Sequence, residues 1–401
     1  MFAAKYLKKN RIDPLIAVPP DANTGICVVI PCLREPDILQ TLESLKNCAL
    51  PQCSTEVIVL INHSELASEE TQKYNQQTRR AIDAWSLQNQ SEGLRFFAVG
   101  PVVLRKKWAG AGLARKKGMD EAVRRFNLLH RKNGIIVSLD ADTLVEPNYL
   151  IEIDKHFSGF PRNVGATLAF EHRKQGLNPR QQEGIERYEK YLRYYKQALE
   201  FTGFPFAMFT IGSAFAVVAD AYVKRGGMNR RQAGEDFYFL QHLAYLGKVG
   251  EITATTVHPS ARLSDRVPFG TGPVLQKWMS GDEKLLNTYD FRSFIHLKAF
   301  FQRVPEVFKM QHTEYCRFVK TLAPQLAEFL HHDVFWEDLD DLNRNCATLA
   351  AFQSRFFQKF NAFKILKYLN FLQNKYYPAT NLDQQFQLLQ NSVLEDFGGE
   401  R

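Results

Sequence analysis

The chain has 401 residues, of which 45% are hydrophobic and 23% charged, so it is long enough for two globular domains with buried cores. It carries a formal net charge of +8, and residues 101–132 hold ten Lys or Arg against two acids. No apolar run reaches the length of a membrane span, and the N-terminus lacks the apolar core of a signal peptide, so we expect a cytoplasmic protein. Six cysteines without a C-x-x-C pair indicate reduced thiols rather than a disulfide framework.

Residues 1–24 are basic and then proline-rich, which predicts an N-terminal arm. Beyond them, strands and helices alternate, which indicates an α/β fold with an open, mostly parallel, doubly wound sheet. The predicted strands lie at 26–33, 56–62, 94–100, 134–139, 164–172 and 251–258. Residues 211–218 fit either a further core strand or the floor of an acceptor pocket. From about residue 275 only helical patterns remain, so the sequence predicts a domain at 25–274 and an all-α C-terminal domain at 275–401.

Two aspartates, Asp140 and Asp142, follow the buried strand that begins at Gly134. Side chains two apart on a strand point the same way, so both carboxylates are expected at one site at the carboxyl end of the sheet. Close carboxylates repel unless a cation lies between them, and Mn²⁺ or Mg²⁺ prefers such oxygen ligands. The alternative is that the aspartates only cap the following turn and helix.

A second acidic pair, Glu235 and Asp236, stands at the predicted start of a helix. Acids in a first helical turn are favoured by the helix dipole, but a carboxylate there is also placed to act as a general base. Further on, His258 ends a strand just before Pro259. A lone histidine is usually structural, although one at a strand end is placed to join a metal.

The basic segment 101–132 suits phosphates, an anionic polymer or an anionic membrane face, although a solvated helix face is the preferred interpretation for most of its cations. The aromatic helices between Phe356 and Tyr377 similarly suit either a membrane surface or, as we favour, a helical core.

Five motifs appear in a fixed order: ICVVIPCLREP, GLARKKGMDEA, VSLDADTLVEPNYL, GEDFYFLQHL and VHPSAR. With these motifs, residues 26 to 265 resemble a family 2 glycosyltransferase of the GT-A fold, and the helical C-terminal part lies outside the resemblance. The resemblance implies that the D-x-D motif holds a divalent metal and a nucleotide-sugar, with Asp142 as metal ligand and Asp140 reaching the ribose or the metal. It also implies that Asp236 is the base, that Glu235 contacts the acceptor, and that His258 completes the metal site.

The same resemblance places nucleotide-binding roles elsewhere in the chain. Pro31, Arg34 and Glu35 match the loop that cradles the base and ribose, and Arg115 matches the basic residue that approaches the diphosphate. Asn62 stands where many members carry an aspartate that reads uracil, so the base stays open among UDP, GDP and dTDP. Processive members have membrane helices that this chain lacks, which favours a single-addition enzyme.

The sequence therefore predicts a metal-dependent, inverting glycosyltransferase whose acceptor is a saccharide or lipid-linked saccharide, with a peripheral contact to the inner membrane face and no nucleic-acid partner. The alternatives are a retaining transferase of the same fold and a sugar nucleotidyltransferase, although the latter requires a glycine-rich or basic loop where this chain has PCLREP. The non-enzyme alternative is a module that binds anions or a membrane surface. Such a module would not need the four acids Asp140, Asp142, Glu235 and Asp236 together.

Overall fold

The structure, a computed structural model, describes residues 1–231, 234–264 and 270–398. It divides into two compact units, each built from two separate segments of the chain. The first unit comprises Met1–Leu177 and Thr210–Gln276, and the second comprises Asn178–Phe209 and Lys277–Arg401. The predicted division at 274/275 differs from this, because residues 178–209 cluster with the C-terminal helices instead of the sheet.

Ten strands occur within the described residues. They are β1 (Thr24–Cys32), β2 (Ser54–Ser64), β3 (Leu94–Leu104), β4 (Ile135–Ser138), β5 (Leu144–Val145), β6 (Gly165–Phe170), β7 (Phe215–Val218), β8 (Val249–His258), β9 (Asn287–Thr288) and β10 (Thr380–Asn381).

Sixteen α-helices occur in the same part of the chain. They are α1 (Ala4–Asn10), α2 (Ile38–Lys46), α3 (Glu69–Asn89), α4 (Ala111–Leu128), α5 (Tyr149–Gly159), α6 (Pro179–Phe201), α7 (Ala219–Arg225), α8 (Glu235–Leu243), α9 (Thr271–Met279), α10 (Arg292–Gln302), α11 (His312–Val319), α12 (Pro324–His332), α13 (Phe335–Asn345), α14 (Leu349–Lys359), α15 (Ala362–Lys375) and α16 (Leu382–Gly398).

The first unit is built on an eight-stranded sheet in the order β3-β2-β1-β4-β7-β6-β8-β5. Strands β3, β2, β1 and β4 run parallel, whereas β7 pairs antiparallel with both β4 and β6. The inner strands β1, β2 and β4 are almost entirely buried, as expected for apolar, β-branched runs covered on both faces. The predicted α/β class with an open, mostly parallel sheet is confirmed, and the carboxyl ends of β1 and β4 lie side by side.

Helix α4 is buried along most of its length, although it carries much of the basic segment. Arg125 is fully buried and donates from Nη2 to Glu56 Oε1 at 2.7 Å, and Lys116 is 5% exposed and paired with Asp120. A solvated helix face is therefore the wrong interpretation for these residues. Their charges are balanced inside the unit, because a buried ion without a partner would be strongly destabilising.

The first residues of the chain form part of the first unit rather than an arm. Helix α1 packs on α4, where the Ala3 amide donates to Asn127 Oδ1 at 3.0 Å and the Leu15 amide donates to Glu121 Oε2 at 3.2 Å. Residues 3–15 are therefore docked on α4, which differs from the predicted arm. Composition gave no sign of this docking, because the partners lie more than a hundred residues away along the chain.

The second unit consists of helices with one short pairing of β9 with β10. Aromatic side chains fill its centre: Phe300, Phe335, Phe356 and Phe360 are all fully buried. The core interpretation of the aromatic helices is confirmed for Phe356 and for the apolar face of α15. None of the helices in the described ranges combines the length and apolar character that crossing a bilayer requires. All six cysteines are described, and each is a free thiol.

Candidate active site

Asp140 and Asp142 lie on the turn that follows β4, where the Thr143 amide donates to the Asp140 carbonyl at 3.2 Å. The strand ends at Ser138, earlier than the sequence predicted, so strand alternation does not set the direction of the two carboxylates. Each carboxylate instead pairs with its own arginine. Asp140 accepts from Arg115 Nη2 at 2.6 Å, and Asp142 accepts from Arg262 Nη2 at 3.2 Å.

Arg115 lies at the centre of the site, on the first turns of α4, with only 3% of its side chain exposed. Its second terminal nitrogen, Nη1, donates to Glu235 Oε1, so one guanidinium bridges the two acidic motifs. Burial alone would lower the pKa of Arg115, but the Glu235 and Asp140 carboxylates raise it, so the group stays charged. The resemblance implied that Arg115 approaches the diphosphate. The structure places its guanidinium against Asp140 of the D-x-D motif, and its contact with Glu235 was not expected.

Two glycines leave room for this arginine. A Cβ at Gly212 would lie 2.7 Å from Arg115 Nη2, and a Cβ at Gly112 would overlap the Arg231 carbonyl and crowd Glu235. The neighbouring backbone is itself fixed, because the Ser138 hydroxyl donates to the Gly212 carbonyl at 2.6 Å. Residues 211–218 were expected to be either a core strand or the floor of an acceptor pocket, and the strand β7 begins only at Phe215. Gly212 is part of the wall against which Arg115 lies.

Glu235 and Asp236 form the first turn of α8, after Gly234 in the left-handed region at a φ of 69°. Glu235 is 4% exposed, and its carbonyl accepts from the Asn229 side-chain amide at 3.1 Å. Burial, together with the nearby Glu235 carboxylate, raises the pKa of Asp236 to about 7. A carboxyl group with a pKa near neutrality is suited to accept a proton, because it is both available as a base and basic enough to act as one.

Arg262 joins the D-x-D motif to the loop after β1. Its Nη1 donates to Glu35 Oε1 at 2.7 Å, and it also pairs with Asp37 Oδ2 at 3.3 Å and with Asp142. Glu35 is 3% exposed, so this guanidinium is the cation that balances a buried carboxylate. The pairing of Arg262 with Glu35 and Asp37 was not predicted, although Arg262 ends the VHPSAR motif.

The other predicted nucleotide-binding residues are dispersed around β1 and β2. Pro31 is within β1, and Arg34 follows it with a φ of 47° and an ion pair to Glu70 at 3.4 Å. Asn62 is buried near the end of β2, where its carbonyl accepts from Asn75 Nδ2 at 2.9 Å. Of the group Pro31, Arg34 and Glu35, it is Glu35 that the structure shows paired with Arg262.

His258 is not brought to the aspartates as a third ligand. Its Nε2 lies 3.5 Å from Glu146 Oε1, and its Nδ1 lies 3.1 Å from the Glu171 carbonyl. Across the described ranges, no three His, Cys, Asp or Glu side chains lie close enough together to share a metal ion. The three-residue set of Asp140, Asp142 and His258 is therefore not assembled.

The donor chemistry of the D-x-D motif still fits a divalent cation. Asp140 and Asp142 are partly exposed, at 37% and 23%, and offer the oxygen donors that Mg²⁺ and Mn²⁺ prefer. Five acids pair with Arg115 and Arg262, so carboxylates outnumber these two guanidinium groups at this edge of the sheet. This arrangement suits an ion held by one or two carboxylates and completed by substrate phosphates.

No protein-family model matches the sequence, and no curated protein matches it. Among solved structures, the chain is similar to S. aureus TarS 1-349 in complex with UDP-GlcNAc, with a TM-score of 0.39 and 10% identity over 83% of this chain and 91% of that one. It is also similar to the mannosyltransferase PcManGT from Pyrobaculum calidifontis in complex with GDP-Man and Mn²⁺, with a TM-score of 0.38 and 12% identity over 90% of this chain and 94% of that one.

Proposed function

We propose that this chain is a metal-dependent glycosyltransferase that moves a sugar from a nucleotide-sugar donor to an acceptor hydroxyl with inversion of configuration. One observation carries the proposal: the buried Arg115 bridges a partly exposed acidic motif after β4 and a second acidic motif in which Asp236 has a pKa of about 7. The first motif is suited to the leaving group, and the second to the nucleophile.

On the donor side, breaking the bond between the sugar carbon and the phosphate oxygen leaves negative charge on the nucleoside diphosphate. Arg262 is a cation positioned to meet that charge, since it is partly exposed and contacts Asp142. A divalent ion held by Asp142 and Asp140 would supply further positive charge to the diphosphate. Glu35, buried under Arg262, sets the position of that guanidinium.

On the acceptor side, the acceptor oxygen forms a bond to the sugar carbon as the phosphate oxygen leaves, and its proton moves to the Asp236 carboxylate. A single displacement of this kind inverts the anomeric carbon. Glu235, ion-paired with Arg115, contacts the acceptor and holds Asp236 at the start of α8. In a retaining transferase, Asp236 would only position the acceptor, so the anomer of the product separates these two reactions.

The acceptor we propose is a saccharide or lipid-linked saccharide, reached by a cytoplasmic protein that touches the inner membrane face peripherally. The exposed cations Arg105, Lys106 and Lys107 support contact with anionic lipid. The alternative of a module that only binds anions is weakened, because Arg115, Lys116 and Arg125 of the basic segment are buried in ion pairs.

The test is calorimetric titration with UDP-GlcNAc and GDP-Man, each with and without Mn²⁺, on the wild-type chain and on Asp142→Asn. We expect one donor to bind in a metal-dependent manner and Asp142→Asn to weaken that binding by about 100-fold. Asp220→Asn is the matched control, since Asp220 is a partly exposed aspartate paired with Lys224 on α7. If neither these donors nor UDP, GDP, dTDP or CDP bind under any metal condition, the transferase proposal is wrong.

A further inference from the structure

A buried polar network joins side chains of α4 and α7 with Tyr6 of the N-terminal helix α1. The Tyr6 hydroxyl donates to Asp120 Oδ1 at 2.6 Å and accepts from Lys116 Nζ at 2.9 Å. Tyr222 donates to the same Asp120 oxygen at 2.9 Å, and Lys116 also reaches Asp120 Oδ2 at 2.9 Å. All four side chains are at least nine-tenths buried, so each polar group depends on the others for its partner.

The network is connected to the acidic site through α4. Lys116 follows Arg115 directly in the second turn of that helix, so the ammonium held by Asp120 and the guanidinium held by Asp140 and Glu235 share one stretch of backbone. A shift of α4 at Lys116 would therefore move the Arg115 side chain against two carboxylates. Gly112 in the preceding turn leaves little space for such a shift, because Glu235 packs against it.

A second connection runs through the loop after α7. Gly227, at a φ of 80°, lies so close to Tyr6 that a Cβ there would overlap the Tyr6 hydroxyl. Two residues later, the Asn229 amide donates to the Glu235 carbonyl at 3.1 Å. The Tyr6 hydroxyl thus supports the backbone that holds the first residue of α8.

A third connection is made by aromatic packing. The ring of Tyr222 lies 5.7 Å from the ring of Phe239, which is one turn into α8 from Glu235. Tyr222 also packs edge-on against Tyr6, with the ring centroids 6.1 Å apart. The rings of Tyr6, Tyr222 and Phe239 therefore link the network to both α7 and α8.

We propose that Tyr6 is a positioning residue for the transfer reaction: through Lys116, Asp120 and Tyr222 it fixes Arg115 and the start of α8, and so places Asp236 against the acceptor. This inference rests on the proposed function for its catalytic consequence. Its structural part, that Tyr6 orders the loop after α7 and the first turn of α8, stands independently. Tyr6 is too far along the chain from any site motif to have been selected from the sequence.

The experiment compares Tyr6→Phe with the wild-type chain and with Tyr194→Phe. Tyr194 is the matched control, because its fully buried ring also donates one hydrogen bond, to the Tyr289 carbonyl at 2.8 Å, within the second unit. Because the acceptor is not identified, kcat is measured for hydrolysis of the nucleotide-sugar by water, and the nucleoside diphosphate that is released is quantified. We expect Tyr6→Phe to lower kcat about tenfold, the worth of one buried hydrogen bond, while calorimetric donor affinity changes less than twofold.

Two further measurements identify the cause of any loss. Hydrogen–deuterium exchange of the Tyr6→Phe chain should be faster in residues 226–229 and 235–240 and unchanged in β1 and β2. In an Asp236→Asn background, Tyr6→Phe should have no further effect on kcat, because it acts through the placement of that carboxylate. Tyr222→Phe, which removes a second hydroxyl from Asp120, should act in the same direction and replaces Tyr6→Phe if the latter does not fold.

The outcomes separate the two proposals. Unchanged exchange at 226–229 and 235–240, or a kcat equal to that of Tyr194→Phe, overturns the positioning role. Faster exchange in a protein whose wild-type form binds no nucleotide-sugar overturns the transferase proposal and leaves the structural link intact.

Discussion

The two acidic motifs of the first unit contain the same kinds of side chain in different surroundings. Asp140 and Asp142 follow a strand, are partly exposed, and each pairs with a separate arginine. Glu235 and Asp236 begin a helix, are crowded together, and have one arginine between them, which pairs with Glu235. Burial and the neighbouring charge raise the pKa of Asp236 to about 7.

This difference explains how one site can serve two chemical needs. Partly exposed carboxylates are suited to bind cations, whereas burial beside a second carboxylate raises the pKa of a carboxyl group, which then takes up a proton readily. Arg115 contacts both motifs, so the two environments are held at a fixed separation by one buried side chain. Substituting single side chains should therefore change kcat at one motif and donor affinity at the other.

The largest effect is expected at Asp236. Replacing Asp236 by Asn should lower kcat by about a thousandfold, because a positioned general base contributes between a hundredfold and ten-thousandfold to proton transfer. Donor affinity, measured by calorimetry, should stay within threefold of wild type. Asp220→Asn serves again as control, and a turnover number for Asp236→Asn within tenfold of wild type would remove Asp236 from the role of base.

The pH dependence tests the same comparison without a mutation. A base must be deprotonated, and a pKa raised to about 7 leaves Asp236 protonated below that pH. The value of kcat/KM should therefore rise about tenfold per pH unit up to neutrality and then level off. A carboxylate in the surroundings of an exposed aspartate would instead give a plateau from about pH 4 upward. Such a profile would contradict the buried environment inferred for Asp236.

The sequence was informative where burial and local pattern determine structure. The apolar runs of β1, β2 and β4 predicted an inner parallel sheet, and the acids after β4 were expected at its carboxyl edge, where they lie. Arg115 was selected only through the family resemblance. That it also contacts Glu235 could not be predicted, because the two residues meet only when α4 and α8 pack.

The sequence did not reveal interactions between residues that are distant along the chain. Glu35 was expected to cradle a ribose, yet it pairs with Arg262, more than two hundred residues away along the chain. Tyr6 lies in a segment whose composition indicated an arm. In both cases the decisive interaction is a buried ion pair or hydrogen bond between elements that only the tertiary fold brings together.

Gly212 tests whether the separation of the two motifs depends on Arg115. A methyl group in Gly212→Ala would lie 2.7 Å from Arg115 Nη2 and displace the guanidinium from Asp140 and Glu235. Loss of a buried ion pair should reduce the free energy of unfolding by about 3 kcal/mol, and kcat by about tenfold. Gly159→Ala is the control, because a Cβ at Gly159 meets nothing within 4 Å. Equal thermal stability of the two variants would indicate that Arg115 has room to adjust.

The smallest effect is expected at His258, which the sequence predicted as a metal ligand. Its ring contacts Glu146 and the Glu171 carbonyl rather than the D-x-D aspartates, so His258→Ala should change Mn²⁺-dependent donor affinity by less than about threefold. Donor affinity of His258→Ala and of Asp142→Asn is measured by calorimetry in parallel. Mutating a residue that hydrogen-bonds to a metal ligand typically weakens metal binding 10- to 100-fold, so losing the ligand itself should weaken binding at least as much. If the two variants lose affinity equally, the histidine joins the aspartates when donor and metal bind. The strand that ends at His258 must then move relative to Leu144, its partner in β5.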